Sequence, residues 1–167
     1  MKKYFMLFLT ITAVLCAFSQ DNDTLMDYSM KLIRNQQFAK AIPYLEKYSG
    51  NHHNHLNSRL QLAFCYRQTN NLNKSISLYQ DIIAQRPEYD RAYYMLANAF
   101  MEKGNLDKAN DLGKKLLRFD DENPDYLLIN AQILREKGDL KQSCKYYKKA
   151  KRSGSNEAKH SYKKYCK

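Results

Sequence analysis

Three histidines in four residues, His52, His53 and His55 within Asn51-His52-His53-Asn54-His55, are the densest set of metal-binding side chains in this chain. Imidazoles so spaced bind copper or zinc only weakly, and no Asp, Glu or Cys with ligand spacing completes the set. A polar linker is therefore expected, and no metal is assigned. The cysteines are the next reactive groups. Cys65 falls in a seam between helices and reads as an inert buried thiol. Cys144 is on the side of its helix that should meet the terminal segment carrying Cys166. A bridge and two free thiols both fit, and free thiols are the expectation. No Gly-rich phosphate loop follows a strand, no nucleophile stands beside a base, and His160 is alone among lysines. No catalytic residue and no cofactor are assigned.

The elements that must carry these groups announce themselves by period. Phe38, Leu72, Leu106 and Leu140 lie 34 residues apart, each opening the same short phrase. A fixed period of this length means stacked repeats, in which no unit buries its apolar face alone. Leu62, Ala63 and Tyr66 recur as Leu96, Ala97 and Phe100, then as Asn130, Ala131 and Leu134, with Tyr28, Ser29 and Leu32 in the first unit. Second helices carry Ala41, Leu45 and Tyr48; Ser75, Tyr79 and Ile82; Ala109, Gly113 and Leu116; Ser143, Tyr147 and Ala150. Steps of three and four put each set on one helical stripe. Ala63, Ala97 and Ala131 are expected to face Ser75, Ala109 and Ser143, so that paired helices approach closely. Asn71, Asn105 and Asp139 are expected N-caps, preceded by Asn70, Gly104 and Gly138 in the left-handed slot that ends a helix. Arg86-Pro87 ends one unit, and Asn123-Pro124 opens another.

These residues resemble the tetratricopeptide repeat, a helix-turn-helix of 34 residues with small residues at the helix contact, a Gly-containing turn and a Pro near its end. The resemblance implies an all-α fold: a right-handed solenoid of helix-turn-helix repeats with a C-terminal capping helix. Four units are expected, 22–55, 56–89, 90–123 and 124–155, and a basic cap at 156–167. The first unit is divergent, with Gln36 at the Gly position and His53 where the closing Pro would fall. In this family the first helices line a concave groove. Its residues here would be Met26, Met30 and Ile33 in the first unit and Leu60, Phe64 and Arg67 in the second. Tyr94, Asn98 and Met101 follow, then Leu128, Gln132 and Arg135. Eight of these twelve are apolar or aromatic, suited to an apolar protein or peptide segment, with Arg67 and Arg135 available for a carboxylate. Residues 20–24 or a second copy of the chain, giving a homo-oligomer, are the alternative occupants. Some members grip a peptide C-terminus with Lys and Asn. Asn98 fits that clamp, but Met26, Leu60, Tyr94 and Leu128 stand where its Lys would be, so the clamp is not inherited.

Met1-Lys2-Lys3 and the apolar run Tyr4 to Phe18 read as a signal peptide over residues 1–19, with lipidation at Cys16 as the competing reading. An exported, periplasmic or secreted protein with an envelope partner is expected. Charge is uneven. Residues 20–136 hold fifteen basic and fifteen acidic side chains, whereas 137–167 hold eleven basic against Asp139 and Glu157. Lys141, Lys145, Lys148, Lys149, Lys151 and Arg152 ring the last repeat helix, leaving Leu140, Tyr147 and Ala150 as its buried stripe; Lys163 and Lys164 follow in the cap. A solvated end and a docking site for anionic lipid or glycan both fit this charge, and nucleic acid is not expected.

Overall fold

The computed structural model describes residues 24–51 and 55–166. The leader assigned to 1–19, Cys16, His52 and His53 lie outside them. Every described element is a helix: α1 over residues 24–34, α2 Phe38–Asn51, α3 Leu56–Gln68, α4 Leu72–Gln85, α5 Asp90–Glu102, α6 Leu106–Phe119, α7 Pro124–Glu136, α8 Leu140–Arg152 and α9 Asn156–Tyr165. The fold is an all-α solenoid of successive helix-turn-helix repeats with a terminal helix. It divides after Asn70 into two compact units, α1–α3 and α4–α9.

The turns repeat in backbone as they do in sequence. Gln36, Asn70, Gly104 and Gly138 all have positive φ, at 57°, 61°, 78° and 84°. Glycine takes that conformation freely, Asn tolerates it, and Gln takes it at a cost. After three of them a six-residue backbone hydrogen bond closes the helix end: Gln37 N–H to Leu32 O, Asn105 N–H to Phe100 O and Asp139 N–H to Leu134 O, each 2.9 Å. Asn105 and Asp139 then cap the next helix through side-chain oxygens that accept from Lys108 N–H at 3.2 Å and Gln142 N–H at 3.0 Å. Asn123 does the same ahead of Pro124. Asn71 holds the cap position without a side-chain cap bond.

Inside each unit the small residues are fully buried. Ala97 and Ala109 belong to neighbouring helices of one hairpin, and Ser143 Oγ–H donates to Ala131 O at 2.7 Å across the next. One seam is built differently. Gly113 on α6 leaves room for the buried amide of Asn130 on α7, which donates to Gly113 O at 3.0 Å and to Tyr126 O at 2.7 Å. Buried tyrosines find partners for their hydroxyls. Tyr66 bonds the Glu46 carboxylate, and Tyr126 donates to Asp90 Oδ2 at 2.5 Å.

Three expected core positions differ. Tyr28 is exposed and meets Tyr44 edge-to-face at 4.9 Å. Leu134 is only half-buried. Leu140 is 51% exposed. It opens α8, one helical turn before Cys144.

Candidate interaction surfaces

The first helices present unequal faces. On α1, Met26, Met30 and Ile33 are half-buried, and on α3 so is Phe64. Phe38, at the start of α2, packs edge-to-face on Phe64 with ring centres 5.6 Å apart. The Arg67 guanidinium lies over the same Phe64 ring at 5.5 Å. Leu60 is not part of this surface: at 1% exposure it belongs to the core, which corrects its assignment as a groove residue.

On α5, Tyr94 and Met101 are half-buried, while Asn98 turns its Nδ2–H back to Tyr94 O at 2.9 Å and offers less outward than its type suggests. On α7 the corresponding positions are taken. Leu128 is 6% exposed, in a cluster with Leu127, Ala131, Tyr147, Ala150 and Ala158. Gln132 Nε2–H donates to Glu157 Oε1 at 2.8 Å. Arg135 ion-pairs with Glu136 at 2.6 Å, donates to Tyr147 Oη at 3.3 Å and lies 4.7 Å over the Tyr165 ring. The Glu136 hydrogen bond raises its pKa further. Leu128 is core, which corrects its assignment as a groove residue, while Gln132 and Arg135 are half-buried and have partners within the chain.

Cys144 and Cys166 are bridged, with Cα atoms 5.6 Å apart, which corrects the expectation of free thiols. Cys65 is free and buried, and desolvation pushes its thiol up to about 12. Among the described residues no group of three or more metal-ligating side chains comes together. His55 serves as the N-cap of α3, its Nδ1 accepting from Ser58 N–H at 3.2 Å.

The basic end also divides. Lys141, Lys145, Lys148 and Arg152 are exposed at steps of four, three and four, one stripe of α8 opposite buried Ser143, Tyr147 and Ala150. Lys149 is instead tied to Asp121, 2.8 Å from its carbonyl and 3.1 Å from its carboxylate. Lys151 lies over Tyr162 at 5.5 Å and Lys164 over Tyr165 at 4.9 Å. Lys163 is exposed on α9. No described helix is long and apolar enough to cross a membrane.

Sequence reasoning missed the repeat-to-repeat ties. Lys103 Nζ–H donates to Asn73 Oδ1 at 2.6 Å, and one period later Lys137 pairs with Asp107, whose carboxyl it holds below the usual range. The 34-residue step from 73 to 107 and from 103 to 137 carried that signal.

Comparison with known proteins agrees with this architecture. The tetratricopeptide repeat family matches residues 73–133 and again residues 125–153. A human protein, tetratricopeptide repeat protein 6, is 38% identical over 55 residues, 33% of this chain but only 10% of that protein's length. Among solved structures, a MamA crystal structure superposes with a TM-score of 0.73 at 22% identity, covering 89% of this chain and 86% of the other. MamA of Desulfovibrio magneticus RS-1 gives 0.72 at 11% identity, covering 80% and 75%. A thermophilic TPR protein of Thermus thermophilus gives 0.69 at 16%, covering 77% and 72%. The MamA likenesses overturn the reading of an exported bacterial repeat protein. The export expectation is therefore withdrawn.

Proposed function

We propose that this chain holds a protein partner by apolar side chains that its first helices leave partly uncovered. The general role is that of tetratricopeptide-type proteins, a non-catalytic scaffold for protein–protein interaction. The finer reading is the proposal: of four units, 22–55, 56–89, 90–123 and 124–155, the compact unit of α1–α3 offers an apolar or helical segment the faces of α1 and α3, and the other unit separately offers the face of α5. One observation carries it. Met26, Met30, Ile33, Phe64, Tyr94 and Met101 are large, apolar or aromatic, and only half-buried. Flexible Met side chains beside rigid rings suit contact with a segment of varied shape.

Peptides selected on the intact chain from a random display library test this. Those that bind should carry aliphatic or aromatic residues and weaken about tenfold or more with Phe64→Ala or Met30→Ala where they engage α1 and α3, or with Tyr94→Ala where they engage α5, at unchanged helical signal. Affinity that survives all three changes overturns the reading.

The cationic row on α8 supports a second reading, docking on an anionic lipid or glycan surface. Each cation near such a surface contributes up to about 1 kcal/mol, screened over about 8 Å in physiological salt. Vesicles containing phosphatidylserine should sediment with the chain at low salt and release it at high salt. Unchanged sedimentation after Lys141→Glu, Lys145→Glu and Lys148→Glu together removes this reading.

A further inference from the structure

The terminal helix is held to the rest of its unit by little apolar burial, and the bridge sits at its far end. Ala158 is the one buried residue of α9, against seven in α7 and five in α5. Tyr162 and Tyr165 only partly bury against the Leu127–Leu128–Ala131–Tyr147–Ala150 cluster. Ala158, Tyr162 and Tyr165 are spaced as one apolar stripe. The other ties are polar or through ring faces: Glu157 accepts from Gln132, Ser161 bonds Tyr147, the Arg135 guanidinium and the Tyr147 ring lie against Tyr165, and Lys151 lies over Tyr162. Charge works against closure, because residues 140–165 hold nine basic side chains and a single acid, Glu157. A helix of ten residues is also marginal in water without tertiary support. The covalent tie Cys144–Cys166 is then what keeps α9 down.

We propose that α9 is a self-bound occupant of the apolar face made by α7 and α8, and that reduction of Cys144–Cys166 opens this face to an amphipathic helix of a protein partner. The pattern that fits is the one α9 itself displays: a small residue, an aromatic four positions on, another aromatic three further, and an acid one position before the small residue to meet Gln132. Opening is a thiol–disulfide exchange. A dithiol reductant attacks one sulfur as thiolate, forming a mixed disulfide, and the other cysteine leaves as thiolate and takes a proton. The reductant's second thiol then closes its own disulfide and frees the remaining cysteine, so two electrons and two protons pass to the protein. Opening leaves the faces of α1, α3 and α5 untouched, so this inference stands or falls apart from the partner reading above.

The test uses the full chain, oxidised and after dithiothreitol. Backbone hydrogen exchange in α9 should speed up about a hundredfold on reduction, the effect of freeing a loop closed at a 22-residue separation. A fluorescent peptide of residues 155–166 carrying Cys166→Ser should bind the reduced chain at least about tenfold tighter than the oxidised one. The same peptide with Tyr162→Ala and Tyr165→Ala should not bind, and reoxidation should expel the first. The Cys144→Ser, Cys166→Ser double variant should behave as the reduced chain; if it does not fold, reversible reduction of the natural chain gives the same readouts. Exchange in α9 that is equally slow in both states overturns the clasp, and peptide binding that is equal in both, or absent from both, overturns the partner face. Phe64→Ala and Tyr94→Ala should leave peptide binding unchanged, which separates this face from the open ones.

Discussion

Helices α5 and α7 occupy the same place in successive repeats, yet one offers its outer residues and the other does not. Tyr94, Asn98 and Met101 become Leu128, Gln132 and Arg135 one period later. The first three are half-buried; among the second three, Leu128 is core and the two polar side chains are engaged by Glu157, Glu136, Tyr147 and Tyr165. A repeat position fixes which way a side chain points. Whether it is available is fixed by what packs alongside, which for these α7 residues is α8 together with the short helix α9.

Breaking the bridge should remove most of that difference. Cys144→Ser or Cys166→Ser is expected to destabilise the docked α9 by about 3 kcal/mol, the loop entropy expected for two residues 22 apart in sequence. The check is thermal or urea unfolding with and without reductant: the natural chain should fall to the level of the variants only when reduced. Equal stability of oxidised chain and variants would mean that α9 is held by packing alone, and that α7 is as closed without the bridge as with it.

The seam between α6 and α7 is the next place to probe. A Cβ on Gly113 would stand 2.6 Å from Asn130 Oδ1, and two hydrogen bonds hold that amide in place. Gly113→Ala should therefore cost about 2 kcal/mol, although alanine is otherwise the better helix residue. Asn130→Ala in the same background should recover part of the loss by relieving the clash. A gain in stability from Gly113→Ala alone, read by urea unfolding, would show that the amide can move aside.

Much of this was legible in the residues, and the limits follow from the same contrast. Small residues at Ala97, Ala109, Ala131 and Ser143, and turn residues at Asn70, Gly104 and Gly138, must recur for helices to approach and chains to reverse, so period alone reveals them. The burial of Leu60 and Leu128, the exposure of Leu140 and the pairing of Cys144 with Cys166 depend on what lies alongside. Spacing along one chain carries little of that. The histidine run shows the same limit: His55 caps a helix, a role its spacing from other histidines does not indicate.

Gln36 is where the pattern and the backbone disagree most openly, and it gives a smaller effect of opposite sign. It has φ 57° in the slot that Gly104 and Gly138 fill, and is exposed. Gln36→Gly should stabilise the unit of α1–α3 by about 1 kcal/mol, because relief of the left-handed strain outweighs the added freedom of the unfolded chain. The matching change Gly104→Gln in the other unit should cost about as much. Loss of stability from Gln36→Gly in urea unfolding would mean that the Gln side chain contributes more than its backbone loses.

The smallest expected effect concerns Tyr66, which stands one and two periods before Phe100 and Leu134 but alone of the three ends in a hydroxyl. Burial, and then the Glu46 carboxylate that accepts its hydrogen bond, push this phenol up to about 12. A pKa raised on folding means that the folded state favours the protonated phenol. Its contribution is whole below the ordinary tyrosine value of about 10 and is lost as pH climbs through about 12. Glu46→Gln removes the charge but leaves the burial, so phenolate absorbance should show Tyr66 titrating lower than in the natural chain yet still above an ordinary tyrosine. Tyr66→Phe should erase this alkaline step in stability while keeping the seam packed, making the position equivalent to Phe100. If the step persists in Tyr66→Phe, the alkaline loss belongs to another group, such as the buried Cys65 thiol, which is raised in the same direction by desolvation.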